Sequence, residues 1–225
     1  MVSPLIMRIP YHSPRYAYQG LFISMVLGLV LTSFLYHHPY VHILANIFFT
    51  LVFILAVYSL KDRKLYFVIT LGLAVITALT SWIYVSTQNP FLLYFEVGMR
   101  ALFFGYLVVL FATQVFSHEE VRSETIFGAL CVYFLSAFFW AFVFSLIDLI
   151  DPQSFDLGNR PEDISSFIYF SLVTLSTLGY GDITPNSPAA QSLASLEAVF
   201  GQLYLAVVVA RFVGIEIANK RSKKS

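Results

Sequence analysis

The sequence predicts an all-α membrane protein with six transmembrane helices and one re-entrant segment. Three observations predict it. Hydrophobic residues fill 58 % of the 225 positions and charged residues 12 %, too few charges to coat a soluble surface. Apolar runs of about 20 residues, the length that crosses a bilayer, recur along the chain. Lysines and arginines gather in alternate connections between those runs. A formal net charge of zero argues against a nucleic-acid partner, which needs a basic face.

Residues 1–17, with Pro4, Pro10, Pro14, Arg8 and Arg15, form an expected cytoplasmic lead, because no small-residue cleavage site follows the first apolar run. Spans are expected at roughly 18–36, 41–60, 65–86, 91–116, 126–150 and 188–217. The first four make an N-terminal membrane domain, 18–116; a cytoplasmic linker follows at 117–125, then a second membrane domain at 126–217 and a basic tail at 218–225. Arg8, Arg15, Lys61, Arg63, Lys64, Arg122, Lys220, Arg221, Lys223 and Lys224 all fall on one side of this arrangement, with Arg160 alone in a loop on the other. The positive-inside rule then puts both termini in the cytoplasm and 151–187 outside, beside Asp148, Asp151, Asp156, Glu162, Asp163 and Asp182. The basic tail would anchor the last helix at the anionic lipids of the inner leaflet, and no regulatory domain is expected after it. Cys131 lies in an apolar run and reads as a small buried residue.

The segment 151–187 is too polar at both ends to span. Its middle, "DISSFIYFSLVTLS", is apolar but short, which suits a re-entrant helix starting near Pro161, Glu162 and Asp163. "TLSTLGYGDITP", Thr174 to Pro185, follows. Extended chain at membrane depth is tolerated only inside protein or along a watery path. Gly179 and Gly181 accept positive φ, so carbonyls on both sides can point one way. Such a row, with the Thr177 hydroxyl below it, replaces the water around a dehydrated cation.

"TLSTLGYGD", Thr174 to Asp182, resembles the selectivity filter of the potassium channel family, T-x-x-T-x-G-Y-G-D. The resemblance extends over about 126–217: Gly201 stands where family inner helices carry a hinge glycine, and "GQLYLAVVVARFVG" is similar to inner helices of small prokaryotic channels. It implies a pore domain of outer helix, pore helix, filter and inner helix, with four chains around one pore, since one loop cannot encircle an ion. It also implies ion binding by Thr177, Leu178, Gly179, Tyr180 and Gly181, potassium as the permeant ion with no cofactor, and a plasma-membrane location. Leu178 replaces the usual Val, and Val173 stands where some relatives carry a Glu paired to the filter Asp. Asp182 therefore needs another partner. Tyr169 is a candidate, the alternative being simple aromatic packing with Phe170.

Further support residues are Thr174 and Ser176, through which Glu197, one turn above Gly201, would brace the pore helix. Gln202 and Leu205 would face the cavity or a neighbouring helix. Helical spacing places Val209, Phe212 and Val213 near the inner end, where an apolar constriction can gate by dewetting. Arg211 and Glu216 would pair between helices. The fourth span carries a single arginine, Arg100, four residues after Glu96, which reads as an intramembrane ion pair rather than a voltage sensor. His118 with Glu119 and Glu120, and His37, His38 and His42 beside Pro39, are weaker candidates for metal or proton sensing, against solvated or interfacial placement. No phosphate loop, metal-ligand spacing or nucleophile–base arrangement is evident, so no enzyme is expected. The alternatives are a weakly selective cation channel of the same fold and, remotely, a G-x-G-D aspartyl intramembrane protease. The latter needs Asp148 or Asp151 facing Asp182.

Overall fold

The computed structural model describes residues 17–34, 41–60, 64–117 and 122–222. The lead, the His37 and His38 turn, Lys61 and Arg63, the His118–Glu120 cluster and the last three residues lie outside the described residues. In chain order the elements are α1 (Ala17–Phe34), α2 (Val41–Ser59), α3 (Lys64–Thr87), α4 (Pro90–Val115), α5 (Ser123–Ile150), β1 (Phe155–Asp156), α6 (Ile164–Leu175), β2 (Thr184–Pro185) and α7 (Pro188–Ser222).

Four of these, α3, α4, α5 and α7, are long and apolar enough to cross a membrane. Helices α1 and α2, with 18 and 19 residues, lie at the short end of the range for a span. At ~1.5 Å per residue the 12-residue α6 reaches only ~18 Å and cannot cross. Helix α7 runs 35 residues, past the expected end at 217, because nothing in "EIANKRS" breaks it and Lys220 pairs with Glu216 at 3.3 Å. The α3–α4 corner is set locally. Gln88 takes a positive φ of 51°, the Asn89 side chain accepts from the Phe91 amide at 3.0 Å, and Pro90 opens α4 where no amide proton is needed.

Helix α5 joins the two halves, touching α1 and α4 on one side and α6 and α7 on the other. In a bilayer, helices associate through van der Waals packing and interhelical polar contacts, because lipid is as apolar as leucine. Phenylalanines supply the first: Phe49, Phe53, Phe103, Phe104, Phe138 and Phe142 interlock, with Phe104 and Phe142 stacked at 5.6 Å and 8°. A second set, Phe144, Phe155, Phe167 and Phe170, wedges α6 against α5 with ring centroids 5.2–5.5 Å apart. The polar contacts include Tyr18 Oη donating to Gln114 Oε1 at 2.5 Å, which ties α1 to α4.

Candidate functional site: a re-entrant helix and the turn that follows it

Asp163 caps α6, its Oδ1 accepting from the Ser165 amide at 2.9 Å and the Ser166 amide at 3.4 Å. The Ser166 hydroxyl donates to the Pro161 carbonyl at 2.8 Å. At the other end the chain forms a Schellman closure: the Thr177 amide donates to the Thr174 carbonyl at 2.9 Å and the Leu178 amide to the Val173 carbonyl at 2.9 Å. This closure needs a left-handed residue, usually glycine. Here it is Thr177, at φ 58°. A β-branched residue in that region is strained, and strain of this kind points to a required side chain.

The inversion repeats at every second residue. Gly179 has φ 57° and Gly181 φ 77°. In an ordinary strand successive carbonyls alternate sides, and changing the sign of φ at alternate residues brings them toward one side. The side chains of Leu178 and Tyr180 are 55 % and 67 % exposed in the single chain, so the segment is uncovered.

Asp182 ends the segment and is held from two directions. Tyr169 Oη donates to its Oδ2 at 2.9 Å, and Arg160 donates to the same oxygen from Nη2 at 3.1 Å and Nε at 3.3 Å. The Arg160 guanidinium lies 3.7 Å over the Tyr169 ring, which joins the three groups into one unit. Tyr169 thus donates to the carboxylate, while Phe170 packs on Phe144 and Phe155. The antiparallel pair β1–β2, Phe155 opposite Pro185 and Asp156 opposite Thr184, joins the two ends of the segment that carries this unit. Slight loss of solvent pushes the Asp182 carboxyl up, but the Tyr169 and Arg160 hydrogen bonds outweigh it and hold it below its ordinary value of 3.8. A lowered carboxyl keeps its contacts above the ordinary value and loses them as pH falls through the lowered one. Acid down to about pH 4 is therefore expected to leave this anchor intact. Arg160→Met should move acid sensitivity of the protein to higher pH, read as melting against pH. An identical profile in the variant would contradict the assignment.

Helix α7 passes behind α6 in the same direction. A Cβ on Gly201 would lie 2.1 Å from the Leu175 carbonyl oxygen, so only glycine allows this approach. The helix is unbroken through Gly201, which acts here as a contact point. One turn back on both helices, Ser171 bonds Glu197. The expected braces are corrected: Ser176 Oγ returns to the Leu172 carbonyl at 2.6 Å, and the partner of Glu197 is Ser171, not Thr174 or Ser176. The parallel register explains it, since pairing 201 with 175 pairs 197 with 171. Ser171 Oγ also donates to the Ala137 carbonyl at 2.8 Å, tying α5 to this contact. Gly201→Ala is expected to cost ~1–3 kcal/mol per chain through overpacking against backbone that cannot yield. A melting temperature equal to wild type would contradict it.

Below Gly201, α7 turns one stripe outward and one inward. Gln202, Leu205, Val209 and Val213 are exposed, while Gly201, Tyr204 and Val208 are buried. Phe212 is corrected: it is half-buried and packs against the chain's own core, one position off the stripe of Val209 and Val213. Arg211 Nη2 donates to the Phe116 carbonyl at 2.5 Å, while Glu216 pairs with Lys220. Gln202 Nε2 donates to Thr177 Oγ1 at 3.0 Å.

A second polar cluster lies in the front half. Glu96 and Arg100 pair within α4, both buried. Arg100 also donates from Nη2 to Asn46 Oδ1 of α2 at 2.6 Å and to Ser81 Oγ of α3 at 2.9 Å, and it lies 4.7 Å over the Phe49 ring. Ser81 in turn donates to Glu96 at 3.1 Å. Asn46, Ser81 and Ser171 escaped the sequence analysis, although a polar residue inside an apolar span is itself a signal of interhelical bonding.

The site is thus a helix too short to cross, an inverted backbone at its carboxyl end and a long helix packed behind both. The ion channel family model matches residues 107–215. The chain is 42 % identical over 57 residues to the inward rectifier potassium channel Kirbac3.1 of Paramagnetospirillum magnetotacticum, covering 24 % of this chain and 19 % of that one. It is 30 % identical over 120 residues to the voltage-gated potassium channel Kch of Escherichia coli K12, covering 53 % of this chain and 26 % of that one. The chain thus spans about a fifth to a quarter of the length of these curated relatives. The apolar helices make it a multi-pass membrane protein, and over these stretches it is similar to ion channels. Over residues 25–155, more than half of its length, the chain also belongs to the family of the Rhomboid domain model. The two matches overlap at 107–155, and Thr174 to Asp182 lies in the ion channel match alone.

Proposed function

We propose that this chain is the protomer of a homotetrameric, potassium-selective channel of the plasma membrane, with six spans and both termini cytoplasmic. The observation that carries the proposal is the inverted φ at Thr177, Gly179 and Gly181, set at the carboxyl end of a helix that cannot cross the bilayer. Four such segments facing one axis give stacked rings of carbonyl oxygens. Each ring replaces water around a potassium ion that has shed its shell. The uncovered filter and the exposed apolar side chains Leu196, Val199, Leu203 and Val207 of α7 support assembly, because a single chain leaves both without partners.

Ions enter by a mouth that carries Asp182, cross from Gly181 to Thr177, and leave along the Gln202, Leu205, Val209 and Val213 stripe. The last three residues of that stripe are the proposed constriction. The front half is not a voltage sensor in this proposal, because Arg100 is held by Glu96, Asn46 and Ser81 at once. The protease alternative lacks support in the geometry, since Asp182 Oδ2 meets Arg160 and Tyr169 and neither is a second carboxylate. A weakly selective cation channel shares every feature above and differs only in ion preference.

The test is cation flux into vesicles carrying the purified protein, with a detergent-phase mass measurement of the assembly. Potassium uptake by a particle of four chains is the expected result. Sodium and potassium uptake at equal rates would replace the proposal by the weakly selective channel.

A further inference from the structure

We propose that Gln202 is a specificity-determining residue of the conduction path: its amide fixes the Thr177 hydroxyl at the inner end of the filter and offers the passing ion an oxygen of its own. The inference rests on the channel function proposed above.

Three observations meet at this side chain. The first is the bond itself, Gln202 Nε2 to Thr177 Oγ1 at 3.0 Å. The second is what places it there. Gly201, by letting α7 touch the Leu175 carbonyl, brings the next residue within reach of the turn after α6. The third is the company it keeps. On an exposed stripe whose other members are Leu205, Val209 and Val213, Gln202 is the polar one. An amide facing hydrocarbon would be costly, whereas one at the top of a watery cavity is solvated and usable.

The chemistry follows from the donor and acceptor count. A threonine hydroxyl has one proton and two lone pairs, and a glutamine amide has two protons and one carbonyl oxygen. With the Gln202 amide donating into one lone pair of Thr177 Oγ1, the hydroxyl can no longer rotate freely, and its second lone pair has a set direction. The hydroxyl is on a residue already fixed at φ 58°, so backbone and side chain are constrained together. The Gln202 carbonyl oxygen remains for the cavity. In four copies this makes a ring of neutral dipoles beneath the ring of hydroxyls. Neutral dipoles attract a cation that is regaining its water without trapping it, as conduction requires. Loss of the amide would free the Thr177 hydroxyl and remove the lowest oxygen ring, so both selectivity and rate should suffer.

The experiment compares wild type, Gln202→Leu and Gln202→Asn in vesicles, reading potassium and sodium flux separately and the assembly by mass. Leucine removes both polar atoms and has the length of asparagine, so the two variants differ only in the amide, and the expected result is about a tenfold fall in the potassium-to-sodium flux ratio with assembly intact, the size of one lost hydrogen bond. Asparagine keeps the amide but withdraws it by one carbon, and an intermediate ratio is expected. A purely structural role would change the amount of assembled protein and leave the ratio alone. Wild-type ratios in both variants would overturn the proposal and leave the channel function standing. If Gln202→Leu does not assemble, Gln202→Asn decides: a wild-type ratio overturns the proposal and a lowered one supports it. A wild type that passes no potassium would overturn the channel function and this proposal together.

Discussion

Gly179→Asp is expected to abolish potassium flux while leaving the helices of each chain folded. Gly179 sits at φ 57°, where an L-residue pays ~1–2 kcal/mol, and no atom lies within 4 Å of where its Cβ would be in the single chain. One chain can therefore accept the substitution with little more than backbone strain. The proposed tetramer would pay it four times, ~4–8 kcal/mol. It would also set four carboxylates among the carbonyls that are meant to hold the ion. The cheapest relief is for the backbone at 179 to flip to negative φ, which turns the neighbouring carbonyl away from the axis. Flux should fall to the level of empty vesicles, with circular dichroism unchanged. A variant that still passes potassium at a tenth of the wild-type rate would show that the inverted backbone is not the conducting element.

The second large effect belongs to the front half. Arg100→Met is expected to lower stability by ~3–5 kcal/mol, because it leaves Glu96 as a buried charge with its partner gone. Asn46 and Ser81 lose the guanidinium as well, and with it a link between α2, α3 and α4. The cost is not the loss of an attractive pair. It is the burial of a carboxylate that nothing balances, so the double variant Glu96→Gln with Arg100→Met should recover most of it. Melting of the detergent-purified protein measures both. Equal melting of Arg100→Met and wild type would mean that the cluster carries no structural load.

The parts of this molecule that follow from local chemistry were legible in the sequence. The re-entrant helix and its start near Pro161, Glu162 and Asp163 could be placed from "PEDISSF", and the positive φ open to Gly179 and Gly181 from the residue type alone. The third inversion, at Thr177, could not, because threonine avoids that region and only the Schellman closure imposes it. Contacts that depend on how two helices are registered were also hidden. Helical spacing alone points Glu197 to Thr174 or Ser176, whereas the parallel contact of Gly201 with Leu175 sets its partner about one turn further back, at Ser171. Spacing groups Phe212 with Val209 and Val213, but one step of 100° around the helix turns it toward the chain's own core. The bond from Asn46 to Arg100 joins residues 54 apart, a separation at which no periodicity speaks.

A backbone filter of the proposed kind prefers potassium to sodium. The most direct measurement is the zero-current potential of the reconstituted protein with potassium on one side and sodium on the other at equal concentration. A filter of carbonyl rings predicts a large potential, of the sign that opposes potassium flow, that collapses when both sides hold potassium. A potential near zero with measurable current would contradict it.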